Sequence, residues 1–140
     1  MRFMLLLKAN EQSEAGAMPS EAELAAMGRY NEEMVKAGVL LAGEGLHASA
    51  RGARVTFGRG RTKVVEGPFD GTRDLVAGFW IIQAKSWEEA LEWVKRCPQG
   101  EHEFEIEVRQ VVEAEDFGEE FTPELRTREE RLRAEVAGKA

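Results

Sequence analysis

The sequence predicts a two-layer α+β fold in which two helices pack on one face of an antiparallel sheet, because strand–helix–strand occurs twice in succession. Three observations carry that reading. Apolar runs of strand length occupy residues 3–7, 39–42 and 75–84. Helix-capping signals at Ser20 and Ser86 follow the first and third of these runs. Finally, Phe104, Ile106 and Val108 alternate with Glu105, Glu107 and Arg109, the pattern of a strand with one wet face.

The elements follow in order. Residues 3–7 (Phe-Met-Leu-Leu-Leu) suit a strand buried on both faces. Residues 10–19 read as a loop. Ser20 and Glu23 form a capping box, and Leu24, Met27, Met34 and Val35 supply an apolar helical face that Gly38 terminates. Residues 39–42 make the second strand, ended by Gly43-Glu44-Gly45. Residues 54–57 and 62–65 flank Gly58-Arg59-Gly60-Arg61, which is hairpin chemistry. After the turn-rich stretch 66–71, residues 75–84 return to strand character. Ser86 and Glu89 form a second box ahead of a helix whose face carries Trp87, Ala90, Leu91 and Val94, with Pro98 just past its end. Thr122 caps a last helix with Pro123 at its first position, and its apolar stripe of Leu125, Leu132 and Val136 is too thin for a core helix. The expectation is a ferredoxin-like domain over residues 1–113, with an extra hairpin, and a C-terminal extension over 114–140 with a peripheral helix.

The 140 residues match one domain and bury about 68% of the unfolded surface. With 26 acidic against 19 basic residues the chain carries −7. That balance and the lack of an aromatic stacking run argue against nucleic acid, although Arg51, Arg54, Arg59, Arg61 and Lys63 cluster without an intervening acid. No apolar run approaches the ~18 residues of a membrane span, and no cleavage pattern follows the first strand, so a cytoplasmic protein is expected. One cysteine, Cys97, excludes an internal disulfide. Strands this apolar would not leave the second sheet face in water, so a homodimer is expected.

His47 follows flexible glycines and reads either as a general acid or base near neutral pH or as a polar loop residue. Glu66 precedes a Gly-Pro-Phe turn; beside an apolar wall such as Phe69 its pKa would rise, and otherwise it caps the turn. Asn31 interrupts the helical stripe and needs hydrogen-bond partners, either in a ligand pocket or in nearby backbone. Glu44 and His47 have strand spacing that points them to opposite faces, so no metal is expected. His102 lies in a polar run and reads as solvent-facing.

Several motifs in order now resemble the YCII-related proteins of the DGPF branch: Gly43-Glu44-Gly45-Leu46-His47, Glu66-Gly67-Pro68-Phe69, Leu75-Val76-Ala77-Gly78-Phe79-Trp80, and Glu105-Ile106-Glu107-Val108-Arg109. The resemblance implies a bacterial, dimeric α/β-barrel-like assembly with a pocket in each subunit near the dimer seam. Some relatives act on small organic molecules without a metal, among them a dehydrochlorinase; others occur beside sigma-factor regulators. The chain departs from the family at two places. Glu66 replaces the signature aspartate, and Met27 falls near the position where shorter members carry a histidine on the first helix. The resemblance therefore leaves His47 and Glu66 as the candidate acid–base pair of a cofactor-independent proton transfer, with Asn31, Glu44, Arg54 and Phe69 as candidate ligand-binding residues. The alternative is a non-catalytic ligand-binding or regulatory dimer.

Overall fold

A computed structural model describes residues 1–139 and divides the chain into two compact units, Met1–Gln110 and the segment from Val111 onward. In the first unit, β1 (Arg2–Lys8), β2 (Leu40–Gly45), β5 (Val76–Gln83) and β6 (Ile106–Gln110) form one sheet in the order β2-β5-β1-β6. Every neighbouring pair in it is antiparallel. The hairpin of β3 (Ala53–Gly58) and β4 (Arg61–Glu66) forms a second, two-stranded sheet.

Alternation along the strands sorts the side chains. Leu5 pairs with Trp80 and Val108, and Phe3 with Ile82, so these residues share one face. On that face they meet Tyr30 and Met34 of α2 (Glu21–Lys36) and Ala90 of α3 (Trp87–Lys95). Phe3, Leu5, Met34 and Ile82 are fully buried, each worth roughly 1.5–3 kcal/mol of transfer free energy. The two helices are tied together by the Tyr30 hydroxyl, which donates to the Trp93 carbonyl at 2.8 Å. The Tyr30 ring also stands edge-on to Trp80, 5.9 Å between centroids.

The α2 stripe differs from its expected form. Met27, Tyr30 and Met34 face the core, whereas Leu24 and Val35 are about 60% exposed. Packing chose the row with the aromatic ring, which the Tyr30 hydroxyl can enter because it finds a carbonyl. The Ser20–Glu23 box forms in both directions. At α3 only half of the second box forms: Ser86 accepts from the Glu89 amide, while the Glu89 carboxylate accepts from the amide of Lys85. Residues 10–19 are not all loop, since Asn10 and Ser13 cap the four-residue helix α1 (Glu11–Glu14) in a box of their own.

In the second unit, Thr122 caps α4 (Pro123–Ala137), with Pro123 in its first turn. No residue of α4 is buried, and Leu125, Leu132 and Val136 remain exposed. Ahead of it the Phe117 and Phe121 rings lie 5.3 Å apart. Among the described residues no helix is long and apolar enough to cross a membrane.

Candidate functional site

A cavity of about 760 Å³ opens between the N-terminal half of α2 and the end of the sheet where β1 and β2 finish and β5 begins. Ligand pockets usually measure roughly 300–1,000 Å³, so its size suits a small organic molecule. The segments 10–20, which include α1, and 98–104 wall it. Leu7, Met27, Leu40 and Phe104 give it an apolar lining.

The space exists because the sheet lacks side chains there. Gly43 pairs with Trp80 and Gly45 with Gly78, while Leu7 also pairs with Gly78, so all three glycines lie on the helix-facing side. A Cβ at Gly43 would stand 3.0 Å from the Trp80 ring, and one at Gly78 would stand 3.0 Å from the Glu44 carbonyl oxygen. A Cβ at Gly45 would meet nothing within 4 Å. Gly43-Glu44-Gly45, expected to end the second strand, instead continues it and floors the cavity.

Two of the cavity's groups are joined by one hydrogen bond. The Trp80 indole Nε1–H donates to Asn31 Oδ1 at 2.9 Å. Trp80 is 7% exposed, and its position is set by the core on either side. Asn31 therefore finds its partner across the layer interface and not in nearby backbone. Lys8, Glu23, Glu101 and His102 supply ionisable groups to the wall. His102 is exposed, as expected, yet it borders the cavity; the polar run around it gave no sign of this, because the loop is brought there by the α3–β6 connection. Glu23 is held by its cap on Ser20, and Gly100 passes so close to its carboxylate that a Cβ there would lie 2.6 Å from Oε2.

The other candidate residues gather elsewhere. Glu44 borders the cavity, but its pairing with Phe79 sends its side chain to the opposite sheet face from Trp80. His47, Arg54, Glu66 and Phe69 are not part of the lining and lie at the root of the β3–β4 hairpin. There His47 Nε2 is 2.9 Å from a guanidinium nitrogen of Arg51, and the Arg54 guanidinium lies 4.0 Å from the centre of the Phe69 ring. Ser49 organises this root. Its amide and hydroxyl both donate to the Glu14 carboxylate, and its Oγ accepts from the Phe69 amide at 3.0 Å. Gly67 passes against the Ser49 carbonyl so tightly that a Cβ would fall 1.9 Å from that oxygen. Glu66 pairs with Ala53 in the hairpin ladder, and no hydrogen bond or ion pair joins it to His47 among the described residues.

Away from the cavity, burial pushes the Cys97 thiol up to about 11 and raises the Tyr30 hydroxyl well above its ordinary range, the neighbouring Cys97 adding to the latter. Both groups are thus neutral packing groups at physiological pH. Among the described residues no three His, Cys, Asp or Glu side chains are grouped as metal ligands would be.

A family model, the YCII-related domain, matches residues 1–115. No curated protein matches the chain.

Proposed function

The chain belongs to the YCII-related family, and from that premise we propose that it binds a small organic molecule in the cavity between α2 and the sheet. The observation that carries this reading is the cavity itself: an apolar lining, a glycine floor, and one polar side chain locked in orientation by a buried tryptophan. A protein that only needed a stable core would gain by filling that space, since voids forfeit packing.

Catalysis by proton transfer is the second reading, favoured by Glu23, Glu101 and His102 on the cavity wall. The two readings separate in one experiment. A panel of small aromatic and carbonyl compounds is screened by ligand-observed NMR, and each binder is then followed for conversion over hours. Binding without conversion supports the binding module. Conversion with a pH profile that His102→Gln removes supports the enzyme, and a panel without any binder counts against both.

The assembly proposed for it is a ferredoxin-like sheet paired with a second copy. On the face away from α2 and α3, Met4, Leu6, Phe79 and Ile81 form an apolar centre. Glu107 and Arg109, bridged at 3.2 Å, edge that centre on β6. An apolar centre with a charged margin is the usual make-up of a protein interface. Light scattering should give twice the 15.7 kDa chain mass, and Phe79→Glu should return it to one chain.

A further inference from the structure

Resting on the binding reading above, we propose that the cavity selects a neutral molecule with an apolar body and a carbonyl-type oxygen, and that the side-chain NH2 of Asn31 donates to that oxygen.

The orientation of the amide follows from its partner. An indole nitrogen can only donate, so the Asn31 atom 2.9 Å from Trp80 Nε1 must be the oxygen. Trp80 cannot turn away, being 7% exposed and packed against Tyr30. The Nδ2 group is therefore held on the other side of the amide. It makes no hydrogen bond within the described chain, and no buried side-chain nitrogen or oxygen is left without a partner, so Nδ2 is open to solvent. Asn31 lines the cavity, which makes Nδ2 a fixed, uncommitted donor beside an apolar space. A donor preorganised in this way costs little to engage and discriminates against ligands that cannot accept.

Charge decides between a neutral acceptor and an anion. Glu23, Glu44 and Glu101 bring three carboxylate residues to the lining against Lys8 and His102. A carboxylate or phenolate would enter a site of its own sign, whereas a ketone, aldehyde, ester or amide oxygen would not. The apolar walls then accept a ring or an alkyl body.

The test uses the full chain, labelled with ¹⁵N, and three probes of similar size: acetophenone, ethylbenzene and benzoate. Acetophenone should move both the Asn31 side-chain NH2 resonances and the backbone amides of Gly45 and Ala77. Ethylbenzene should move the backbone amides alone and bind about fivefold more weakly, the usual worth of one neutral hydrogen bond. Benzoate should bind no better than ethylbenzene. Asn31→Asp keeps an oxygen for Trp80 and replaces the donor with an acceptor, so it should abolish the acetophenone preference while the Trp80 indole proton stays hydrogen-bonded and protected from exchange. Trp80→Phe, which releases the amide, should reduce the same preference without removing ethylbenzene binding.

Equal affinity for acetophenone and ethylbenzene would overturn this inference and leave the binding reading standing, as would tighter binding of benzoate. If none of the probes moves a cavity resonance, the binding reading fails and this inference fails with it.

Discussion

The cavity and the β3–β4 hairpin belong to the same unit and are built on opposite principles. The cavity rests on residues far apart in sequence: Leu7, Asn31, Gly43, Trp80 and Phe104 come from five segments and are fixed by a common core. Every residue of the hairpin strands is exposed, with Phe57 at 77% and Val64 at 62%, and the strands pair only with each other. Isolated two-stranded hairpins are marginal in water, so this one depends on its root, where Ser49 binds both Glu14 and Phe69. The residues that look most chemical by type, His47, Glu66, Arg51 and Arg54, collect at that root. The cavity is served by an amide, an indole and missing side chains, with Lys8, Glu23, Glu101 and His102 on its wall. Glycines beside a reactive residue thus mark a turn at Gly67 and a strand at Gly43 and Gly45, and the sheet register decides which of them open space.

The largest way to break this contrast is Gly67→Ala. With its Cβ 1.9 Å from the Ser49 carbonyl oxygen, the backbone of the root must shift. The expected cost is about 3 kcal/mol, seen as a lower urea midpoint or as early exchange of the hairpin amides, with probe binding in the cavity retained. Loss of probe binding together with the hairpin would show that root and cavity are one cooperative device.

An alkaline titration sharpens the other half. Cys97 and Tyr30 are both held protonated by burial, so the folded chain binds these protons more tightly than the unfolded chain does. The Cys97 contribution is complete below about pH 9 and is lost as pH rises towards about 11, where the thiol ionises in the folded state, while that of Tyr30 is still being lost above this window. Stability should fall by on the order of 2 kcal/mol across that window, followed by urea unfolding at successive pH values. In Cys97→Ala combined with Tyr30→Phe the fall should flatten; a fall of unchanged size would mean that the groups responsible lie outside this core.

The sequence made the layer order legible, because apolar runs and caps are local signals: Ser20 with Glu23 and Thr122 with Pro123 form as read. Asn31 was legible as a polar residue that needed a partner, since its place in the helical stripe was visible. What could not be read was register. Whether Glu44 points into the layer or out of it depends on its pairing with Phe79, and a bulge between Leu40 and Ala42 sets that pairing. The same bulge turns Gly43 and Gly45 into the floor of a cavity, where the sequence alone suggests the end of a strand. His102 escaped for a related reason, as nothing in its own segment records where the loop arrives.

A smaller effect comes from filling the floor. Gly45→Leu adds a side chain where a Cβ meets nothing within 4 Å, so the fold should hold. Acetophenone binding should weaken about tenfold or more, because the added atoms occupy the space the ring would use. Unchanged binding would move the ligand away from the glycine floor, towards the loop walls.

The smallest expected effect is the most telling for the hairpin root. His47 contacts Arg51 through an exposed hydrogen bond, and exposed polar contacts of that kind are worth less than about 0.5 kcal/mol. His47→Gln can still accept from the Arg51 guanidinium through its amide oxygen, so stability should change within that margin. Acetophenone affinity should stay within about twofold, because the cavity lining does not include this position. The same holds for Glu66→Gln, whose side chain joins no hydrogen bond or ion pair among the described residues. If either substitution weakened probe binding as strongly as Gly45→Leu does, the root would have to close over the cavity when a ligand enters. His47 and Glu66 would then return as an acid–base pair delivered by the hairpin, and the two regions contrasted here would be two halves of one site.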